Sequence, residues 1–231
     1  MWQKLVSIVC LVISIIMCVF LINECIPYYK SIMAKRELNE QVISEYTYTE
    51  LAATVDDSTK DVTKKDVDFN KLQAINPDII GWISAPQINV DYPILRGETT
   101  TYYLNKDYKK NYNALGSIFT WSDTDEFLED KHIVLFGHNG LGKQMFGGLK
   151  DYLDADFRSR NPHIEIYTQT KLMTLEVTDV KIVNKTDPIL QPDYLSDSLD
   201  QTIIFSSCHG SQGTSKRIVV KCKVVDTQEK Y

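Results

Sequence analysis

Between residues 79 and 225 the sequence divides into eight apolar, β-branched and aromatic runs separated by turn-forming residues, and this pattern limits the fold more than any other feature. The runs cover residues 79–84, 88–94, 117–121, 132–136, 163–168, 172–183, 202–207 and 217–225. Runs of this length rich in Val, Ile, Tyr and Phe read as strands. Eight strands with few long helices predict a mainly β fold closed or nearly closed into a barrel, because closure removes the unpaired edges that an open sheet must protect. A short helix is predicted over residues 69–75 from Phe69, Leu72 and Ile75, ended at Asn76-Pro77 because the residue before proline is pushed out of the helical region. Two more peripheral helices are predicted over residues 146–158 and 188–199.

The seventh run ends at a thiol. In TIIFSSCHG the continuous apolar stretch Ile203, Ile204, Phe205 reads as a strand buried on both faces, and Cys208 stands at its mouth. The segment HGSQGTSK, with two glycines, then reverses the chain into RIVVKCKVV. A reversal centred near Gln212 and Gly213 places Arg217 opposite Cys208. A guanidinium keeps its proton, so at that position it stabilises a thiolate or an oxyanion formed on an attacked carbonyl. The same register puts Cys222 five residues farther along, roughly 16 Å away at about 3.3 Å per residue, which excludes a disulfide between the two. Cys222 shares strand parity with Ile218, Val220 and Val224 and reads as a small core residue.

A cysteine nucleophile needs a group to manage protons, and the chain has four histidines. His138, in FGHNG after the strand HIVLF, stands at a strand end between glycines, where a ring reaches into a cleft. His132 and His163 begin strands and read as half-exposed strand residues. His209 adjoins Cys208, but successive strand residues face opposite ways. The segment GHNGLGK has the spacing of a phosphate-binding loop, yet Gln144 occupies the place of its metal-binding Ser or Thr. His138, Cys208, His209 and Cys222 contain no close-spaced ligand pair of the kind a zinc site uses. Neither a metal nor a cofactor is expected.

Residues 5–22, LVSIVCLVISIIMCVFLI, form an uncharged run of eighteen, long enough to span a bilayer. No small-x-small cleavage site follows it, and Glu24 stands where a lipid-attachment signal before Cys25 would need a small residue, so the run reads as an uncleaved anchor. Lys30, Lys35 and Arg36 outnumber Lys4, so charge counting alone does not orient it with the following domain outside. Residues 1–25 are taken as a cytoplasmic stub and anchor, 26–66 as a helical stalk and polar linker, and 67–231 as the catalytic domain. Cys10, Cys18 and Cys25 belong to the anchor region, which leaves two of five cysteines for the domain, too few for a disulfide scaffold. A net charge of -6 with scattered lysines argues against nucleic acid as a partner.

These features together resemble the sortases, cysteine transpeptidases of Gram-positive bacteria, and within them class B. The resemblance covers about the last 160 residues: His138, Cys208 and Arg217 match the family's catalytic trio in order and approximate spacing. The stretches NPDIIGWISAPQINVDYPIL, YYLNKDYKKNYNALGSIF and FRSRNPHIEIYT are similar to class B sequence as well. The family's Thr-Leu-x-Thr-Cys motif is here Ile204-Phe205-Ser206-Ser207-Cys208, so any altered substrate preference is expected at Ser206 and Ser207. The resemblance implies a calcium-independent eight-stranded barrel with peripheral helices on the outer face of the membrane, held there by its N-terminal helix, with an extra helix within residues 184–200 walling the substrate groove. It implies that Cys208 attacks the threonine carbonyl of a C-terminal sorting signal, Arg217 stabilises the oxyanion and His138 protonates the leaving amine. A cell wall peptide amine or peptidoglycan precursor then resolves the thioester, anchoring the surface protein. Two other functions remain open at this level: a tethered cysteine protease that uses water as acceptor, and a surface binding module in which Cys208 is only a buried thiol.

Overall fold

A computed structural model describes residues 2–50, 64–123, 130–194, 201–210 and 213–230. The chain divides into two compact units, Met1–Leu38 and Asn39–Tyr231. An N-terminal helix, α1 (Trp2–Tyr46), contains the apolar run. From Leu11 to Ile22 its side chains, apolar at every position but Ser14, are exposed, Leu11 at 62% and Ile22 at 58% among them. Among the described residues no helix is long and apolar enough to cross a membrane, so the helix forms as expected and the span itself is not seen.

In the second unit β1 (Thr47–Glu50) pairs antiparallel with β2 (Lys64–Val67). Of the expected polar linker, residues 56–63 lie outside the described residues and 64–66 are in β2. Next comes α2 (Phe69–Ile75), where the sequence placed it. The Asp68 side chain caps it by accepting from the Lys71 N–H at 3.0 Å, and Asn76 leaves it in an extended conformation before Pro77.

Eight strands follow: β3 (Ile79–Ala85), β4 (Val90–Leu95), β5 (Ile118–Phe119), β6 (His132–Phe136), β7 (His163–Tyr167), β8 (Lys171–Asn184), β9 (Thr202–Cys208) and β10 (Lys216–Glu229). They close into a barrel in the order β10-β8-β7-β3-β4-β5-β6-β9. The pairs β4/β5 and β6/β9 are parallel and the other pairs antiparallel. Trp82, Tyr103, Tyr152, Tyr167, Phe146 and Phe205 are the bulkiest fully buried side chains.

Three elements differ from expectation. The second barrel strand starts at Val90, because Pro86–Ile88 forms a 3₁₀ turn that Asn89 ends with a left-handed φ of 60°. The helix predicted over residues 146–158 is instead a 3₁₀ turn, Leu149–Leu153, followed by α3 (Ala155–Arg160). Asp154 breaks the two apart and caps α3 through the N–H groups of Asp156 and Phe157. Of the helix predicted over residues 188–199, the described part, 188–194, holds only the 3₁₀ turn Pro188–Leu190, capped by Asp187; residues 195–200 lie outside the described residues.

Candidate active site

Cys208 closes β9, between β6 and β10. On the β10 side the register is Arg217 opposite Cys208, Val219 opposite Ser206 and Cys222 opposite Ile203. The alignment assumed from the loop is therefore the one the strands adopt. The His209 N–H donates to the Lys216 carbonyl at 3.0 Å, so Cys208 and Arg217 form the neighbouring pair that exchanges no backbone bonds. Such pairs stand closest, with Cα atoms about 4.5 Å apart and side chains on one face. Arg217 Nη1 donates to the carbonyls of Thr214 at 2.8 Å and Lys216 at 3.0 Å, which moors one end of the guanidinium. Its fork holds five N–H donors, so others stay free for an incoming oxygen.

On the β6 side the strands are parallel and pair Phe136 with Ser206. The Gly137 N–H donates to the Ser206 carbonyl at 3.2 Å. β6 ends at Phe136, so the chain leaves the sheet through Gly137 to His138, which lies two residues past Phe136 as Cys208 lies two past Ser206. Gly137 is needed for this exit: a Cβ there would sit 2.5 Å from Ile118 Cδ1 and 2.8 Å from Phe146 Cδ2. The His138 carbonyl accepts from the Phe146 N–H at 2.9 Å, and its ring Nε2 lies 2.7 Å from the Leu104 carbonyl oxygen. Cys208, His138 and Arg217 are all half-buried, as groups that must meet a solute require.

Two surfaces meet at the thiol. The β9 face that carries Ile204, Ser206 and Cys208 continues onto Val134 and Val219 and is roofed by Ile189 and Leu190, with Trp121, Phe136 and Tyr194 at its margin. Ser206 is 1% exposed, and among the described residues its Oγ has no hydrogen-bond partner. Ser207, 3% exposed and also without a partner, lies on the opposite face with Phe205 and Ile218. Beside Cys208 a cleft of about 330 Å³ opens between Asn139, Gly147 and Lys150 on one side and His209 and Gly210 on the other.

The remaining candidates separate cleanly. Cys222 is fully buried, and burial pushes its thiol pKa up, as a core residue requires. His132 Nε2 contacts the Ile189 carbonyl at 3.0 Å and its ring packs on Tyr194, tying β6 to the β8–β9 connection. His163 is exposed at the start of β7. Lys143 of the segment resembling a phosphate loop is engaged by Asp151. Sequence reasoning missed the Leu104 carbonyl and the carbonyls that moor Arg217, since backbone acceptors leave no mark in residue type.

The Sortase domain family matches residues 83–225 of this chain. The chain belongs to the sortase family. It is 40% identical to Sortase B of Listeria monocytogenes over 96 residues, covering 41% of this chain and 39% of that protein. It is 28% identical to Sortase B of Staphylococcus aureus over 181 residues, covering 68% of this chain and 74% of that protein. The solved complex of Staphylococcus aureus sortase B with a substrate superposes with a TM-score of 0.60 at 26% identity, over 68% of this chain and 84% of that one. These relatives place it among the class B sortases.

Proposed function

We propose that this class B sortase is a cell-envelope transpeptidase that cleaves a C-terminal sorting signal after threonine and passes the acyl group to a cell wall amine. The observation that carries this reading is the register at the end of β9, where Arg217 stands opposite Cys208 across the antiparallel pair and His138 and Cys208 each lie two residues past the parallel-paired Phe136 and Ser206. Cys208 Sγ, as the thiolate, attacks the threonine carbonyl carbon, and the carbonyl electron pair moves to oxygen, where the free Arg217 N–H groups stabilise it. When that pair returns, the C–N bond breaks with its electrons on nitrogen, His138 delivers a proton to the departing amine, and a thioester remains on Cys208. An acceptor amine attacks the thioester, loses its proton to His138, and releases the thiolate.

Ser206 shares the Cys208 face and supports a role in holding the sorting signal there. Ser207, behind the strand, would act on the substrate only by setting the strand's position. The roof at Ile189 and Leu190 fits one wall of a peptide groove. For the N-terminal helix, exposed apolar side chains all round its axis favour lipid over water. Residues 5–22 are therefore read as a single-pass anchor, with the barrel on the outer face.

The test is mass spectrometry of the full chain in detergent micelles with a sorting peptide. An acyl adduct on Cys208, absent in Cys208→Ala, and a product that changes when hydroxylamine or an oligoglycine is added are expected. Products indifferent to the amine would leave the protease reading, and an unreactive Cys208 the binding-module reading.

A further inference from the structure

We infer that the Leu104 carbonyl is a positioning group that locks His138 in its Nε2–H tautomer, so that Nδ1 is the ring atom that exchanges protons with the reacting amine. The inference rests on the reading of His138 as the acid of the reaction. It begins from a contact that allows only one arrangement. A carbonyl oxygen has no proton to donate, so a ring nitrogen 2.7 Å from it must carry the hydrogen. A neutral imidazole has one N–H, and here it is spent on Leu104. The lone pair is left on Nδ1, for which the described residues offer no partner, and the only proton the ring can gain or lose without breaking the Leu104 contact is the one on Nδ1.

The carbonyl that imposes this is held rigidly. Leu104 belongs to the 3₁₀ turn Tyr102–Asn105, and its N–H donates to the Thr101 carbonyl at 3.0 Å. Gly116, at a left-handed φ of 56°, packs its Cα directly on the turn: a Cβ there would lie 2.3 Å from the Leu104 oxygen and 2.6 Å from the Tyr103 oxygen. Tyr103 is fully buried, and its hydroxyl donates to Asp78 Oδ2 at 2.6 Å and accepts from Asn76 Nδ2 at 2.8 Å. Asp78 is paired in turn with Lys110 at 2.9 Å. Burial acts to raise the Asp78 carboxyl pKa, but the bonds from Tyr103 and Lys110 outweigh it and leave the group below its ordinary value. An ionised Asp78 therefore keeps accepting from Tyr103, and the turn keeps its carbonyl aimed at the ring.

In the reaction, imidazolium carries Nε2–H on Leu104 and Nδ1–H toward the departing nitrogen. The Nδ1 proton passes to that nitrogen as it takes the electron pair of the breaking C–N bond, and the ring returns to the same Nε2–H tautomer. No ring flip intervenes between acylation and deacylation, which is what a rigid acceptor at Nε2 supplies.

The test is the ring nitrogen spectrum of the full chain, labelled with ¹⁵N-histidine in detergent micelles and recorded with long-range proton–nitrogen correlation at about pH 8. The His138 signals are assigned by their loss in His138→Gln. The expected pattern is a protonated Nε2 and an unprotonated Nδ1. Gly116→Ala, which drives a methyl into the Leu104 carbonyl, is expected to mix the two tautomers and to lower kcat for a sorting peptide about tenfold. If Gly116→Ala does not fold, Tyr103→Phe, which removes the hydroxyl and keeps the ring, is expected to shift the same signals. An Nδ1–H tautomer in the wild-type chain overturns the inference, and so does a tautomer unchanged in every variant that folds. Thioester formation together with an Nδ1–H ring would defeat this inference and leave the proposed function standing; an Nε2–H ring in a chain that forms no thioester would defeat the proposed function and, with it, the role given to Nδ1, leaving only the Leu104 contact as the cause of the tautomer.

Discussion

Cys208 and Arg217 are directly opposed on β9 and β10 as a pair without backbone bonds between them, the arrangement that brings two side chains closest on one face of a sheet. Arg217 is anchored through Nη1 to the Thr214 and Lys216 carbonyls, so its fork is oriented before substrate arrives. Arg217→Ala is expected to lower kcat/KM for a sorting peptide by roughly 10²- to 10³-fold, the usual cost of losing one oxyanion donor. Arg217→Lys should recover little of it, because an ammonium cannot hold two loop carbonyls and present a planar fork at once. Steady-state kinetics check this, and a loss confined to KM would count against an oxyanion role.

His132 makes the roof of the Cys208 face sensitive to acid. Burial depresses its ring pKa, working against the Ile189 carbonyl contact and aided by nearby Lys221. A depressed histidine contributes stability that is present above its unfolded pKa of about 6.5 and is lost as pH falls below it. Nδ1 is buried without a partner among the described residues, so protonation would leave a charged N–H unpaired there. Faster amide exchange is expected at Leu190 and Gln191 at about pH 5 than at pH 7, after correction for intrinsic rates. His132→Gln, which keeps a donor for Ile189 and does not titrate, should flatten that difference; equal pH dependence in the two proteins would show that His132 is not the sensor.

The division between what the sequence disclosed and what it hid follows the range of the interactions. Strand positions were legible because apolar, β-branched and aromatic runs mark strands buried on both faces, as β3, β4 and β9 largely are; the Arg217–Cys208 register was an assumption, since loop length alone does not fix it, and the strands adopt it. Local signals misled where tertiary contacts competed with them. The apolar spacing of residues 146–158 is helical, but the chain there must pass the Ile88 carbonyl and splits at Asp154. In the described part of the helix expected over residues 188–199, only one turn forms: Asp187 and Pro188 start it and the Gln191 N–H closes it on the Pro188 carbonyl. Distant backbone acceptors such as Leu104 were illegible in principle, since every residue type carries a carbonyl.

Cys222 should reveal itself in alkaline stability. Burial raises its thiol pKa, so the folded chain keeps a neutral thiol where the unfolded chain ionises. The sign is that of a raised group: its stabilising contribution is complete below the unfolded thiol value near 8.5 and is lost as pH rises above it, about 2 kcal/mol by pH 10. Cys222→Ala loses packing at every pH, so the slope is the readout. Denaturant unfolding between pH 7 and 10 is expected to fall less steeply in the variant. In the folded wild type a maleimide should modify Cys208 and spare Cys222 until denaturant is added.

Gly148 gives the last test, because it separates steric need from backbone preference. Its φ is −82°, an angle open to any residue, so nothing in its own conformation calls for glycine. Yet a Cβ there would lie 2.1 Å from the Ile88 carbonyl oxygen, and that oxygen is backbone of the 3₁₀ turn Pro86–Ile88, which cannot swing aside. Gly142 is the converse case: its φ of 64° is left-handed, but a Cβ would meet nothing within 4 Å. Ala at 142 should cost only the left-handed penalty of about 1–2 kcal/mol. Ala at 148 must move the 3₁₀ turn or the Leu149–Leu153 segment, an overpacking expected to cost about 3 kcal/mol or more. Because the neighbouring Gly147 lines the cleft beside Cys208, the displaced segment should also slow maleimide labelling of Cys208 or alter its rate at least severalfold in Gly148→Ala, with Gly142→Ala near wild type. Thermal melts and labelling rates for the pair decide it: equal losses of stability would mean that the Ile88 contact is not what keeps residue 148 a glycine.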